Sequence, residues 1–191
     1  MRIRIVLEPL GKNQARLPLC YNHDLQSFIY HHISSELADF LHKKGYLLGK
    51  RKFKLFAFSR LLGKFHINSQ EEKIIFSGPI SFYLSSPKEK FIQQFAETLL
   101  KSPEVKLSRN LLIISSIEVF SKPDIQDDVT IRMLSPVTVY STLFSTNGKK
   151  KTYYYSPFEK EFSQLIRANI LKKYLPPVWD SRGKILYERD N

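Results

Sequence analysis

The chain reads as an α+β protein whose antiparallel sheet carries helices on one face, and three observations predict this. Short runs such as RIRIVLE, Arg2 to Glu8, alternate charged and apolar side chains with the period of a half-buried strand. Two stretches, Leu25 to Leu41 and Phe91 to Leu99, repeat apolar residues at helical spacing instead. Up to Phe120 the order is strand, helix, strand, strand, helix, strand, which is the βαββαβ order of the ferredoxin-like (RRM-like) arrangement.

Each element has a local reason. After the first strand, Gly11 to Pro18 reads as a connecting loop, and Asn22 or Asp24 can cap the helix that follows. Ser34 and Ser35 followed by Glu36 resemble a second helix start inside the apolar run, so a break is expected there. A loop follows Gly45, then FKLFAFSRL, Phe53 to Leu61, reads as a strand opened by Lys54. Gly63 turns the chain, and Lys73 to Leu84 forms the next strand with a bend at Gly78-Pro79. Pro87 stands where helices start and Pro103 where the second helix must stop. Val105 to Phe120 is strand, with a kink or hairpin at Ser108, Arg109 and Asn110.

Then the pattern begins again. Residues 122–127, within the polar SKPDIQDD, read as a linker between a domain over 1–121 and a partial second one over 128–191. In the latter, Val129 to Leu143 is a strand bent at Pro136, and Asn147-Gly148 favours a primed hairpin turn. Ser156 and Pro157 open a helix over Phe158 to Tyr174. Only Lys184 to Glu188 remains as strand material, so the second ferredoxin-like unit is expected to be incomplete.

Composition narrows the function. Thirty Lys and Arg against 18 Asp and Glu give a formal charge of +12, and 13% of the residues are aromatic. A basic, aromatic-rich globular chain matches a polyanionic partner, nucleic acid first. The single Cys20 excludes an intramolecular disulfide framework, and no Cys/His spacing resembles a metal site, so neither metal nor cofactor is expected. No stretch has the run of about 20 apolar residues of a membrane span, and the expected home is a reducing cytoplasm.

The most informative stretch is Tyr21 to Arg60, which holds four of the five histidines. On a helical projection Leu25, Phe28, Ile29, Ile33, Leu37, Phe40 and Leu41 share one face, and His31 and His42 fall on the opposite, wet side. His32 points with the apolar group and reads as a core-edge histidine satisfied by a backbone carbonyl. His23 belongs to the helix entry and His66 to the segment after Gly63. Lys43, Lys44, Lys50, Arg51 and Lys52 read as a phosphate cradle beside His42, with Lys149, Lys150 and Lys151 as a second basic cluster.

The segments YNHDLQSFIY, KLFAFS and LSPVTV with SPFEKEF, in that order over nearly the whole chain, resemble the Cas-six family of CRISPR repeat-processing endoribonucleases, in the RAMP superfamily. The family's glycine-rich closing motif has no match, since Gly183 is the last glycine, and the chain is expected to be truncated at its C-terminus. The resemblance implies metal-independent cleavage of precursor CRISPR RNA within its repeats. The ribose 2′-hydroxyl attacks the adjacent phosphate, leaving a 2′,3′-cyclic phosphate and a 5′-hydroxyl. It implies repeat RNA as partner, a prokaryotic source, and assembly as a homodimer or within a larger effector complex. A relative that has kept the basic surface without the chemistry would be an RNA-binding module only.

Carried onto matching positions, the family's tyrosine, histidine and lysine are Tyr30, His42 and Lys54. Histidine as a residue type titrates nearest neutrality and suits proton transfer, lysine suits a phosphate oxygen, and Tyr30 is expected to orient the 2′-hydroxyl. Geometry constrains the set. In one straight helix, twelve residues would separate Tyr30 from His42 by about 18 Å, too far to share a phosphate. Catalysis by that pair therefore needs the chain to turn back at Ser34-Ser35; otherwise His31 is the candidate beside Tyr30.

Overall fold

One long strand organises the sheet. In the computed structural model, which describes residues 1–11, 13–48, 51–121, 128, 130–131, 133, 136–174, 178–179 and 185–186, β7 runs over Lys73–Ser85 and is bordered along both edges. Its second half pairs antiparallel with β1 (Arg2–Pro9), and its first half with β2 (Gln14–Pro18) on the same side. Its other edge carries β5 (Ala57–Phe58) and β6 (Leu62–Asn68). Beyond β1 the sheet continues through β9 (Asn110–Phe120) to β8 (Glu104–Leu107). The order β6-β7-β1-β9, all antiparallel and joined by two helical crossovers, is ferredoxin-like.

The segment Gly11 to Pro18, expected to be a loop, is therefore half strand. Ala15 and Leu17 are buried while Gln14 and Arg16 face out, a period-two pattern confined to one short piece. Asn110 secures this piece: its side-chain amide donates to the Arg16 carbonyl and accepts from the Arg16 amide, both at 2.8 Å. The partner of β7 changes from β2 to β1 at Gly78-Pro79, as the expected bend requires, and Gly78 takes φ +81°. Gly63 lies within β6 and does not turn the chain. A Cβ there would meet the Pro79 carbonyl oxygen at 2.8 Å, so the strand passes this bend only as glycine.

Helices α1 (Asn22–His31) and α3 (Glu89–Lys101) supply the other half of the core, and α2 (Ser35–Asp39) packs Leu37 and Ala38 against it. Leu25, Phe28 and Ile29 of α1 and Phe91, Ile92, Phe95 and Leu99 of α3 join Ile3, Ile5 and Leu7 of β1 and Phe82 and Leu84 of β7. Phe28 stands edge-on to both Phe82 and Phe95, at 6.2 and 6.1 Å between ring centres. Each such side chain contributes about 1.5–3 kcal/mol on full burial. Helix α1 is not capped by Asn22 or Asp24. Its N-cap is Tyr21, whose side chain reaches away to accept the buried Leu61 amide at 3.1 Å, tying the helix entry to the start of β6.

FKLFAFSRL is not one strand. Tyr46–Leu48 (β3) pairs with Arg51–Phe53 (β4), the next residues are irregular, and only Ala57–Phe58 rejoins the sheet. The interruption sits at Leu55, held at φ +53° with its carbonyl accepting from the Ser86 hydroxyl at 2.7 Å.

The chain divides into two compact units, Met1–Tyr46 with Lys54–Pro123, and Leu47–Phe53 with Asp124–Asn191. The second contains the hairpin of β10 (Tyr140–Phe144) and β11 (Lys150–Tyr154), helix α4 (Lys160–Tyr174), and the short pair β12 (Val178–Trp179) and β13 (Ile185–Leu186). Of the strand expected over Val129 to Leu143, residues from Tyr140 on are strand and 136–139 are not, while 129, 132, 134 and 135 lie outside the described residues. The hairpin turn is not primed. Gly148 alone is left-handed, at φ +72°, and its amide bonds to the Ser145 carbonyl, which makes a simple turn followed by a glycine bulge. Helix α4 starts two residues later than expected, and Glu159 just before it accepts from the Ser156 amide and the Tyr153 hydroxyl. The expected linker, 122–127, and most of Lys184 to Glu188 lie outside the described residues. Among the described residues no helix is long and apolar enough to cross a membrane.

His32 is the core-edge histidine that its phase on the helix implies. Its Nδ1 lies 2.7 Å from the Phe28 carbonyl, and its ring packs on Phe28 and Phe95. Burial pulls its pKa below the ordinary 6.5, opposed by the Phe28 hydrogen bond and aided by His31. The unfolded chain therefore binds a proton near and below about pH 6.5 that the native state resists, so this contribution to stability is lost on acidification. Urea midpoints should fall between about pH 7.5 and about pH 5.5, and His32→Leu should flatten part of that slope.

Candidate active site

A break in the helical run builds the site. Helix α1 ends as His32 leaves helical geometry, and Ser34, extended at ψ 148°, starts α2 with its hydroxyl accepting from the Leu37 amide at 3.3 Å. Helix α2 passes directly into a π-helical turn over Phe40–Lys44. Gly45, at φ +67°, ends it by donating its amide to the Phe40 carbonyl at 2.6 Å. This is the turn at Ser34-Ser35 that pairing Tyr30 with His42 demands.

Between α1 and the α2–π segment lies a cleft of about 480 Å³, lined among others by His23, Ser27, Tyr30, His31, Asp39 and His42. Thus the fold-back gathers Tyr30 with both rival histidines. His23 joins them; its place in the first turn of α1 is as expected, its share in the cleft is not. The signal for it was the spacing His23, Ser27, His31, one residue per helical turn along the wet side of α1.

The side chains differ in how they are held. His31 Nδ1 lies 2.7 Å from the Ser27 carbonyl, so in the neutral ring this nitrogen carries the proton and Nε2 keeps its lone pair. Lys54 is exposed, and its ammonium sits 5.2 Å from the centre of the Tyr30 ring, a cation–π contact. Phe56 braces the same ring edge-on at 5.9 Å. The Tyr30 hydroxyl is enclosed and has no hydrogen-bond partner among the described residues, so the ring, not the oxygen, borders the cleft. Asp39 pairs with Lys43 at 2.7 Å, one turn apart, which offsets the only carboxylate of the lining.

The basic residues separate into groups. Lys43 and Lys44 follow His42 on the exposed π turn. Lys52 is exposed on β4 and belongs to the second unit, while Lys50 and the side chain of Arg51 lie outside the described residues. Lys149, Lys150 and Lys151 are exposed at the tip of the β10–β11 hairpin. Among the described residues, no three His, Cys, Asp or Glu side chains are grouped to hold a metal ion.

The fold is that of an α+β protein of the ferredoxin-like class, shared with solved RAMP and Cas6-related structures. The family description "CRISPR-associated protein Cas6, N-terminal" matches residues 16–118, and "CRISPR associated protein Cas6, C-terminal" matches 120–185. The chain belongs to the Cas6 family. It is 26% identical over 90% of its length to the CRISPR-associated endoribonuclease Cas6 1 of Methanocaldococcus jannaschii. It is 29% identical over 94% of its length to the CRISPR-associated endoribonuclease Cas6 of Pyrococcus furiosus. The chain spans 65% and 66% of the lengths of these two curated relatives. Among solved structures, a Cas6-related protein from Pyrococcus furiosus aligns over 91% of this chain and 69% of its own, at 29% identity and TM-score 0.68. A RAMP protein described as binding different RNA substrates aligns over 91% and 70%, at 27% identity and TM-score 0.66.

The enclosed Tyr30 hydroxyl makes a stability prediction. An unpaired buried hydroxyl costs about 1–3 kcal/mol, so Tyr30→Phe should leave the denaturation midpoint unchanged or raise it. Tyr30→Ala, which removes the seat of Lys54 and the contact with Phe56, should lower it by about 2 kcal/mol or more.

Proposed function

We propose that this chain is an endoribonuclease that cuts precursor CRISPR RNA within its repeats, by attack of the ribose 2′-hydroxyl on the adjacent phosphate and without a metal ion. The observation that carries this reading is the cleft that gathers Tyr30, His31 and His42, with the Lys54 ammonium seated on the Tyr30 ring. In-line attack needs proton transfer at both oxygens and a cation for the charge that builds on the phosphorane. His42 serves proton transfer, Lys54 faces the phosphorane, and the Tyr30 ring positions Lys54. Lys43 and Lys44 bind phosphates flanking the cut, and Lys50, Arg51, Lys52 and the basic hairpin tip, in the second unit, add RNA affinity through further phosphate contacts.

The relatives named as endoribonucleases support the same reading. A second one, a repeat-RNA-binding module without cleavage, is favoured by the neighbour described as an RNA-binding RAMP protein and by the +12 charge.

The deciding assay is cleavage of a labelled cognate repeat RNA in EDTA. Wild type should cut and leave a 2′,3′-cyclic phosphate, while His42→Ala should lose at least about 100-fold in rate and keep RNA affinity. A 2′-deoxy sugar at the cut should abolish the reaction. Tight binding with no cutting by wild type would favour the binding module.

A further inference from the structure

The proposed reaction needs two proton-transfer groups, a base for the 2′-hydroxyl and an acid for the departing 5′-oxygen, and so far His42 supplies one. The enclosed Tyr30 hydroxyl cannot touch a substrate in this arrangement, and Lys54 is engaged with the Tyr30 ring. We propose that His31 is the general base and His42 the general acid of a two-histidine pair facing each other across the cleft between α1 and the π turn. This rests on the endoribonuclease reading above.

The case for His31 as the base is its fixed tautomer. Nδ1–H donates to the Ser27 carbonyl at 2.7 Å, with the Ser27 hydroxyl at 3.3 Å, so the ring is oriented from inside its own helix and offers Nε2 as an acceptor. His23 lines the same cleft, but among the described residues no hydrogen bond fixes its ring. His32 is committed to the Phe28 carbonyl and to the core. His42 lines the same cleft from another element, the π turn. In-line displacement asks for this division, with the base at the attacking oxygen and the acid at the leaving one.

The step balances. Nε2 of His31 takes the 2′-hydroxyl proton as the 2′-oxygen bonds to phosphorus. The bond from phosphorus to the 5′-oxygen breaks, and protonated His42 delivers a proton to that oxygen. Products are the cyclic phosphate and the 5′-hydroxyl, and the two histidines end with exchanged protonation states. The charged and titratable groups that line the cleft with the pair are His23 on α1 and Asp39 on α2, the latter paired with Lys43, and Lys54 packs on the ring of Tyr30.

The test uses single-turnover cleavage of repeat RNA across pH, with normal and sulfur-substituted (5′-bridging phosphorothiolate) leaving groups. A thiolate leaves without an acid, so the sulfur substrate should restore His42→Ala to within about tenfold of wild type and leave His31→Ala and His31→Asn impaired by about 100-fold or more. The wild-type profile should be bell-shaped, with His31 variants losing its acidic limb and His42→Ala its basic limb. Asn at position 31 can still donate to the Ser27 carbonyl, so impairment of that variant separates chemistry from a positioning role. Full activity of His31→Ala, rescue of His31→Ala instead of His42→Ala by sulfur, or loss of the acidic limb in His23→Ala would each overturn the assignment. If wild type binds the RNA and cuts neither substrate, the endoribonuclease reading fails first. The pair is then overturned with it.

Discussion

Everything proposed for the cleft depends on the chain leaving helical geometry between His31 and Ser35. A straight helix would carry His42 about 16 Å along the axis from His31, eleven residues on, and no single phosphate could meet both. The Ser34 cap that restarts the helix is worth only about 1 kcal/mol. What holds the fold-back is packing: Ile33 and Leu41, 7% and 2% exposed, stand on either side of α2 and both join the main core. Two anchors of about 1.5–3 kcal/mol each press α2 onto the unit, with Leu37, Ala38 and Phe40 packed beside them. The same residues that give the apolar stripe its helical period thus hold its interruption.

The π turn adds a second constraint. It widens the helix by one residue over Phe40–Lys44, so that Leu41 stays in the core while His42, Lys43 and Lys44 are exposed in succession. Three histidines and one paired carboxylate line this cleft, a set suited to proton transfer, and Lys54 packs on the ring of Tyr30, another of its lining residues. By contrast His32, one residue from His31, is taken by the core and is a poor proton carrier. A single helical step of about 100° separates these roles.

Much of this is legible in the sequence. The βαββαβ order, the break at Ser34, the bend at Gly78-Pro79 and the core-edge place of His32 followed from period and capping chemistry. The errors have common causes. Strand β2 has two inward residues, Ala15 and Leu17, too few to declare a period, and it is held by pairing with the first half of β7 and by the Asn110 side chain, some 94 residues from Arg16. Leu55 takes a left-handed backbone that no leucine announces, because the Ser86 hydroxyl holds its carbonyl. Asn22 was passed over as cap because Tyr21, needed to hold the Leu61 amide, fixes where α1 begins. The cleft's membership of His31 and His42 together needed the fold-back in three dimensions, and the enclosed Tyr30 hydroxyl needed Phe56 and its neighbours in place.

The central claim is that the histidine cleft on the helical side is where repeat RNA binds. Five histidines give five sets of ring signals in a selectively labelled sample, and they divide by position: His23, His31 and His42 in the cleft, His32 in the core edge, and His66 exposed on β6. The measurement is NMR of those rings as an uncleavable repeat RNA, with a 2′-deoxy sugar at the cut, is added. The three cleft signals should shift together and saturate with the affinity of the RNA, while His66 stays in place. Saturating RNA that moves His66 and leaves His31 and His42 unshifted would contradict the account.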